Sequence, residues 1–339
     1  MNTTRLADHT TLRVGGPAGE FREIADEESL VAAVRDADAA GVPVLLLGGG
    51  SNLLVGDDGF DGLVLRVATS GIDCGVMCGA GRVEAAAGED WDRFVATMVE
   101  REYSGVEALS GIPGSVGATP IQNVGAYGQE VSQTIDRVRV LDRVSGAVTD
   151  LTAEDCGFGY RDSALKQHPE RFVVLSVIFE LPRSGSSRPV RYGELARQLN
   201  VGVGDRAGLD EVRSAVLGLR RGKGMVLDPA DHDTWSAGSF FTNPIVAEAE
   251  LPPDAPAFPT PDGRFKASAA WLIQYAGFDR GYTRGPAGLS TKHALAVTNR
   301  GGAAATDIVA LAREVRDGVR ERTGIALVPE PVLVGCSLD

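Results

Sequence analysis

Cysteine and histidine are scarce in this sequence, with four of each among 339 residues. Few and scattered cysteines are typical of a reduced protein and not of a disulfide scaffold. Cys74 and Cys78 stand four positions apart, but no C-x-x-C or H-x-x-H pair accompanies them, so ordinary thiols are favoured over a zinc site. The same interpretation applies to Cys156 and Cys336, and we expect no metal.

Long apolar runs and an excess of positive charge are also absent. The longest apolar stretch, residues 172–181, is interrupted by Ser176 and Glu180 and falls far short of the ~20 residues that a membrane span needs. The 33 basic residues are outnumbered by 46 acidic ones, and the net charge of −13 disfavours binding to phosphate backbones and anionic lipids. With no evident leader, we expect a cytoplasmic protein without a nucleic-acid or membrane partner, and no protein partner is indicated.

Glycine, by contrast, is abundant. The 43 glycines are about twice the usual share, yet glycine and proline together stay below the ~25–30% typical of low-complexity chains. With 43% hydrophobic residues, a chain of this length can bury the cores of about two domains. Glycine is therefore expected to serve particular turns and close backbone contacts.

The first half of the chain shows helix and strand patterns of an α/β or α+β protein. Asp26 is a suitable N-cap for a helix that ends before Gly41, and a buried strand is expected over residues 42–47. Similar patterns predict strands at 63–67 and 82–87 and a helix at 90–101. Short β-rich segments between residues 138 and 181 predict an antiparallel sheet.

A Ser- and Gly-rich segment at residues 183–188 predicts a domain boundary. A second α+β domain is expected beyond it, with helices at 210–221, 267–275 and 306–323. Residues 252–261 contain five prolines and are expected to form a loop.

Two glycine-rich segments are the first candidates for ligand binding. Gly48-Gly49-Gly50-Ser51-Asn52 directly follows the buried strand, and its backbone N–H groups can converge on an anion such as a pyrophosphate. The segment lacks the G-x-G-x-x-G pattern of a nicotinamide-binding fold. A plain strand-to-loop turn is the alternative interpretation.

Residues 111–128 form the second segment, with five glycines, two prolines and almost no charge. Such a composition predicts a tightly packed loop whose backbone lies close to something flat or anionic. An Ω-loop packed on itself is the alternative.

Residues 218–224 resemble a phosphate loop but lack a Ser or Thr after Lys223, so a nucleotide triphosphatase is not expected.

Arg161, Ser239 and Glu330 form a third group. These residue types suit the reduction of an unsaturated carboxylate. An arginine and a protonated glutamate stabilise the charge that hydride addition places on the carboxylate side, and a hydroxyl delivers the proton. Taken singly, each has an ordinary explanation: a surface salt bridge for Arg161, a cap for Ser239 and a solvated side chain for Glu330.

Taken together, the motifs resemble a known family. The UDP-N-acetylenolpyruvoylglucosamine reductases, the MurB family of peptidoglycan synthesis, share the order and spacing of both glycine loops and of further motifs: Tyr160-Arg161-x-Ser163, Gly238-Ser239-Phe240-Phe241-x-Asn243-Pro244, Lys292-His293-Ala294-Leu295 and Pro329-Glu330. The resemblance runs from about residue 12 to residue 335.

The resemblance implies an α+β fold. An FAD-binding domain of the vanillyl-alcohol-oxidase (PCMH) type would occupy two subdomains, residues 1–68 and 69–185. A UDP-sugar-binding domain would follow over residues 186–328. Residues 329–339 would return to the active site as a C-terminal strand.

The resemblance also implies a reaction. NADPH reduces non-covalent FAD, and hydride passes from flavin N5 to the enolpyruvyl carbon of the UDP-sugar, which gives UDP-N-acetylmuramate in the cytoplasmic stage of peptidoglycan synthesis. Ser239 would protonate the adjacent carbon, while Arg161 and Glu330 polarise the substrate carboxylate. The rival interpretations are another oxidoreductase on the same flavin scaffold and a non-catalytic protein that binds flavin or a nucleotide sugar.

Ligand contacts are implied residue by residue. Those expected for FAD are Gly48, Gly49, Gly50, Ser51, Asn52, Gly114, Gly117, Ala118, Gln122, Asn123 and Gly125. Those expected for the substrate are Tyr192, Lys223 and Asn243, with Tyr192 on the extra loop of one family subtype. Three positions depart from the expected pattern: Thr242 stands in place of a basic residue, Leu165 of a phenylalanine and Val332 of an arginine.

Overall fold

The computed structural model describes residues 4–75 and 81–339. The helices in these ranges are α1 (Glu27–Ala40), α2 (Trp91–Glu100), α3 (Ala164–Gln167), α4 (Gly193–Leu199), α5 (Leu209–Gly222), α6 (Ala269–Tyr275) and α7 (Ala305–Thr323). The strands are β1 (Ala18–Ile24), β2 (Val44–Leu47), β3 (Leu53–Val55), β4 (Phe60–Val67), β5 (Ile72–Gly75), β6 (Gly81–Ala86), β7 (Gly125–Ala126), β8 (Gln129–Glu130), β9 (Ile135–Asp142), β10 (Ala147–Thr152), β11 (Phe172–Leu181), β12 (Ile245–Val246), β13 (Ala257–Pro259), β14 (Phe265–Ala267), β15 (Thr283–Arg284), β16 (Ala287–Leu289), β17 (Val297–Asn299) and β18 (Val332–Val334).

The chain divides into two compact units. The larger unit comprises residues 20–49 and 62–221, and the smaller unit gathers residues 4–19, 50–61 and 222–339. The domain limits expected from the sequence, after residues 68, 185 and 328, stay a prediction.

A five-stranded antiparallel sheet in the order β10-β9-β11-β6-β5 forms the centre of the larger unit. β11 pairs with β9 on one side and with β6 on the other, so the antiparallel sheet predicted between residues 138 and 181 is confirmed. Helix α2 begins where the Asp90 carboxylate accepts the N–H of Arg93 at 2.8 Å. Its apolar face is buried, as predicted: Trp91 and Phe94 both pack against Phe179.

Helix α1 also begins and ends as the sequence predicts. The Asp26 carboxylate accepts the N–H of Ser29 at 2.8 Å, and Gly41 ends the helix in the left-handed region with a φ of 66°. The helix buries Leu30 and Val34 in a cluster with residues of β4. The strand that follows, β2, pairs in parallel with β4.

Helix α7 supplies much of the core of the smaller unit. Ile308 and Leu311 on its inner face are fully buried, in one cluster with residues of α6, β16 and β17. Asp57 accepts hydrogen bonds from the N–H groups of Ala305 and Thr306 at 2.7 and 3.0 Å. A carboxylate from a distant loop therefore satisfies donors that the first turn of a helix leaves open.

The proline-rich segment departs from its predicted structure. Residues 252–261 are expected to form a loop, but β13 lies within them and pairs antiparallel with β14. β13 is an edge strand of the sheet β12-β14-β13. Proline is tolerated there because one side of an edge strand needs no ladder hydrogen bond. The helix expected from residue 267 begins later, at Ala269, since residues 265–267 belong to β14.

Candidate active site

Gly48 and Gly49 of the first glycine segment lie against Gly114 and Ser115 of the second, all within the larger unit. A Cβ atom on Gly49 would lie 2.7 Å from the Cα of Gly114, and one on Gly48 would lie 2.5 Å from the Oγ of Ser115. Gly114 itself has a φ of 129°, which side chains disfavour. Glycine is therefore required at Gly49 so that the backbones of the two segments can approach.

The backbone N–H groups of the two glycine segments are of two kinds, those that donate to a carbonyl of the protein and those for which no partner is recorded in the described ranges. The N–H of Gly117 donates to the C=O of Ala87 at 2.8 Å, and the N–H of Ala118 donates to the C=O of Ser115 at 3.1 Å. Within the described ranges, no partner is recorded for the N–H groups of Gly49, Gly114 and Ser115. These three groups fit a pyrophosphate, whereas the FAD contacts expected at Gly117 and Ala118 stay a prediction.

Arg161 forms hydrogen bonds through its side chain to the C-terminal half of the second glycine segment. It adopts a left-handed φ of 55°. Its Nη1 donates to the C=O of Asn123 at 3.2 Å and its Nη2 to the C=O of Gly125 at 2.6 Å. The structure thus brings together three of the predicted site residues, and the guanidinium donates to two backbone carbonyls of the second glycine segment.

Asn123 is buried, and its side-chain amide forms hydrogen bonds that hold this loop in place. Its Nδ2 donates to the C=O of Gly159 at 2.9 Å and to Glu130 Oε2 at 3.1 Å, and its Oδ1 accepts the N–H of Ser132 at 3.2 Å. The side-chain amide is therefore occupied in holding the loop. The FAD contacts expected at Asn123 and Gln122 stay a prediction.

Ser239 and Glu330 lie on neighbouring extended segments of the smaller unit. The N–H of Glu330 donates to the C=O of Phe240 at 2.9 Å, and Phe241 forms an isolated antiparallel bridge with Pro329. No helix ends directly before Ser239 or begins directly after it, so the helix-cap explanation does not apply. Among the described residues no hydrogen-bond partner is recorded for its hydroxyl.

Glu330 lies two residues before strand β18, and its backbone contacts Asn52 of the same unit. β18 pairs in parallel with β3, which the sequence does not predict. The Asn52 side chain donates to the backbone C=O of Glu330 at 3.3 Å. Val332, one of the departures, is half exposed on β18.

The residues expected to bind the substrate differ in the contacts that they already make within the protein. Asn243 Oδ1 accepts the N–H of Ala269 at the start of α6 at 2.9 Å, so its amide oxygen has a structural role. Tyr192 precedes α4 and is 45% exposed, with its ring edge-on to Tyr127 at 5.5 Å between centroids. Lys223 directly follows α5. Tyr127 is a residue that the sequence reasoning missed, although it stands inside the second glycine segment.

Arg161, Gln122, Asn123, Gly125 and Tyr192 belong to the larger unit, and Ser239, Glu330, Asn52, Lys223 and Asn243 to the smaller one. The structure describes each group within its own unit. The site roles expected from the sequence stay predictions.

Cys156 and Cys336 are thiols whose surroundings disfavour the reactive thiolate form. Burial raises the pKa of the Cys156 thiol to about 11, with a further contribution from Asp155, and burial also raises the pKa of Cys336. No group of three or more potential metal ligands occurs in residues 4–75 and 81–339. Cys78 lies outside these residues.

No helix in the described part of the chain has the length and apolar character needed to cross a membrane.

Comparison with known proteins covers almost the whole chain. An FAD-binding domain family matches residues 21–152, and the C-terminal domain of UDP-N-acetylenolpyruvoylglucosamine reductase matches residues 228–334. The UDP-N-acetylenolpyruvoylglucosamine reductase of Cutibacterium acnes is 56% identical, over 98% of this chain and 90% of the relative. The chain belongs to the UDP-N-acetylenolpyruvoylglucosamine reductase family. The Thermobifida fusca reductase is also 56% identical, over 98% of this chain and 97% of the relative.

A solved structure of this reductase family shares the fold. The crystal structure of UDP-N-acetylenolpyruvylglucosamine reductase (MurB) from Thermus caldophilus superposes with a TM-score of 0.69 at 27% identity, over 98% of both chains. The predicted family, the α+β fold with an FAD-binding domain, and the class of FAD-dependent oxidoreductase are therefore confirmed. The family subtype with the tyrosine loop stays a prediction.

Proposed function

We propose that this chain reduces UDP-N-acetylenolpyruvoylglucosamine to UDP-N-acetylmuramate with NADPH as the reductant, in the cytoplasmic stage of peptidoglycan synthesis. The observation that carries the proposal is the near full-length relation, at 56% identity, to reductases of that name. Each unit adds support by itself: the larger unit supplies an anion cradle and an arginine, and the smaller unit supplies a serine and a glutamate on neighbouring segments.

The flavin is held without a covalent bond. The N–H groups of Gly49, Gly114 and Ser115 bind its pyrophosphate, and glycine at the first two positions lets the backbone approach the phosphate oxygens. Neither glycine segment contains a histidine or cysteine that could form a covalent flavin link. When bound, FAD supplies a ring that accepts hydride from NADPH and gives it to the substrate.

The protein residues handle charge and the proton. Hydride addition to the terminal enolpyruvyl carbon leaves electron density on the adjacent carbon and its carboxylate. Arg161 and Glu330 stabilise this charge at the carboxylate, and the Ser239 hydroxyl gives its proton to the adjacent carbon. One hydride and one proton thus saturate the double bond.

The diphosphate of the substrate needs positive and hydrogen-bonding groups. Lys223 supplies a charge, the Tyr192 hydroxyl supplies a donor, and Asn243 supplies its Nδ2 because its Oδ1 is bound to α6. Lys223 and Asn243, both of the smaller unit, give a locally positive site in a protein of net charge −13.

The test is anaerobic and aerobic NADPH oxidation by the purified holoenzyme. NADPH oxidation should require the enolpyruvyl sugar, and denaturation should release FAD into solution. Oxidation that depends on oxygen alone would support a different oxidoreductase on the same scaffold. Flavin that stays attached after denaturation would refute the non-covalent assignment, and a protein that cannot take up FAD would refute the proposed function.

A further inference from the structure

Asp233 is a buried carboxylate of the smaller unit that lies outside the family motifs. Only 7% of its side chain is exposed. Its Oδ1 accepts the backbone N–H of Thr291 at 2.9 Å and Arg300 Nη1 at 2.6 Å, and its Oδ2 accepts the Thr291 hydroxyl at 2.5 Å. Burial acts to raise the pKa of this carboxyl, but these bonds outweigh burial, so the pKa of Asp233 is lowered and the group is an anion.

Thr291 belongs to a loop of residues 290–296 whose ends are joined. The N–H of Ser290 donates to the C=O of Ala296 at 2.8 Å. Close to the second end, the C=O of Leu295 accepts the N–H of Phe240 at 2.8 Å. Asp233 therefore holds one end of the loop, and the other end holds the Phe240 peptide.

Phe240 is the residue after Ser239, and its surroundings leave it little freedom. Its side chain is fully buried, and its C=O accepts the N–H of Glu330 at 2.9 Å. On the other side of Ser239, Gly238 takes a left-handed φ of 74° that reverses the chain. The direction of the Ser239 side chain thus depends on where the Phe240 peptide is fixed.

We propose that Asp233 is a positioning residue for the proton donor. Through Thr291 and the 290–296 loop, it fixes the Phe240 peptide and so keeps the Ser239 hydroxyl aligned with the substrate carbon. The proposal rests on the proposed function, in which Ser239 gives the proton. Asp262 offers a contrast, because it pairs with Arg264 Nη2 at 2.7 Å, is 51% exposed and lies on another loop of the same unit.

The sharpest test is a pair of substitutions at Thr291. Thr291→Val keeps the size of the side chain and removes the hydroxyl that Asp233 binds, whereas Thr291→Ser keeps the hydroxyl. Enzyme reduced with dithionite is mixed anaerobically with the enolpyruvyl sugar, and flavin reoxidation is followed by stopped-flow absorbance per mole of bound FAD. A displacement on the order of 1 Å costs up to about 100-fold. We expect Thr291→Val to slow reoxidation by about 10- to 100-fold and Thr291→Ser to stay within about threefold of wild type.

A second readout needs neither flavin nor substrate. Hydrogen exchange of the peptide that contains Phe240 should be faster in Thr291→Val apoprotein than in wild type, because the Phe240 N–H loses its fixed acceptor. Thr291→Ser should protect this N–H as wild type does. Asp262→Asn is the matched control and should leave both readouts unchanged, while Asp233→Asn should move both in the direction of Thr291→Val.

Several outcomes would overturn the proposal. Equal reoxidation rates in Thr291→Val and Thr291→Ser would show that the hydroxyl bond does not act on Ser239. Equal slowing of flavin reduction by NADPH and of reoxidation would show a general loss of structure instead of positioning. If Ser239→Ala itself leaves reoxidation intact, the proposed role of Ser239 fails, and the positioning role fails with it. If Ser239→Ala blocks reoxidation but Thr291→Val does not, the positioning role alone fails.

Discussion

The Arg161 loop of the larger unit and the Ser239 segment of the smaller unit hold their candidate residues in opposite ways. At Arg161 the side chain does the holding, since the guanidinium donates to two backbone carbonyls of the second glycine segment. At Ser239 the backbone does the holding, since the next residue, Phe240, is hydrogen-bonded through both its N–H and its C=O. A change at Arg161 should therefore disturb the loop, whereas a change at Ser239 should disturb chemistry alone.

Ser239→Ala should give the largest effect and tests the second half of this comparison. Flavin reduction by NADPH should proceed at nearly the normal rate, because no substrate carbon is protonated in that step. Reoxidation by the enolpyruvyl sugar should slow by about 10²–10⁴-fold, the usual contribution of a positioned general acid. Stopped-flow absorbance of the flavin in each half-reaction is the measurement, and Ser337→Ala near the C-terminus is the control.

A reversed partition would break the comparison. If Ser239→Ala slows reduction by NADPH and leaves reoxidation intact, Ser239 belongs to nicotinamide binding. The proton donor would then be Glu330 or a bound water.

Tyr192→Phe and Lys223→Ala should have the next largest effect. Charge-assisted bonds to phosphate are worth about 1.5–3 kcal/mol, so the KM for the UDP-sugar should rise by about 10- to 100-fold. Phenylalanine retains the edge-on ring contact with Tyr127, so the change at Tyr192 isolates the hydroxyl. Arg197→Ala, an exposed change on α4, is the control, and an unchanged KM in both test variants would remove the diphosphate assignment.

Arg161→Lys tests the first half of the comparison. A lysine ammonium is a compact charge and cannot reproduce the planar fork that spans the carbonyls of Asn123 and Gly125. Loss of about one hydrogen bond should weaken FAD binding by about tenfold. Titration of the apoprotein with FAD, followed by flavin fluorescence, measures this change.

The same variant can sharpen the comparison. If FAD affinity is unchanged and only reoxidation by the substrate slows, the guanidinium acts on the substrate carboxylate and the loop does not depend on it. Arg137→Lys, on β9 of the same unit, is a suitable control because that side chain is half exposed.

Asp92 should give the smallest effect, on stability as a function of pH. Burial acts to raise the pKa of Asp92, but hydrogen bonds from Arg213 and Gly111 outweigh it, so the pKa is lowered. A lowered pKa stabilises the folded state above the ordinary carboxyl value and loses that stabilisation as the pH falls through the folded value. The stabilising contribution is thus present at neutral pH and disappears in the acid range, below about pH 4.

Asp92→Asn should lower the free energy of unfolding at neutral pH by about 1 kcal/mol, a modest figure because 34% of the Asp92 side chain is exposed. The difference between the variant and wild type should shrink as the pH falls below the ordinary carboxyl value of about 4. Urea unfolding at several pH values measures this, with the exposed Asp254→Asn as control. A difference that persists unchanged into acid would contradict the linkage to this carboxyl.

Short-range chemistry was determined by the sequence itself. The limits of α1 follow from a carboxylate three residues before a backbone donor and from a glycine after the last turn. The buried face of α2 follows from apolar residues at helical spacing. Capping and periodicity depend on neighbours within about one helical turn, so no tertiary information is needed.

Tertiary structure decided which distant groups meet. Nothing near Gly49 in the chain announces Gly114 as its neighbour, and nothing near Glu330 announces Asn52, 278 positions away. Asp233 likewise binds Thr291 and Arg300 across 58 and 67 positions. Such contacts depend on how sheets pair and on what the core buries, because an isolated carboxylate or amide gains its partner only when the whole fold removes both from water.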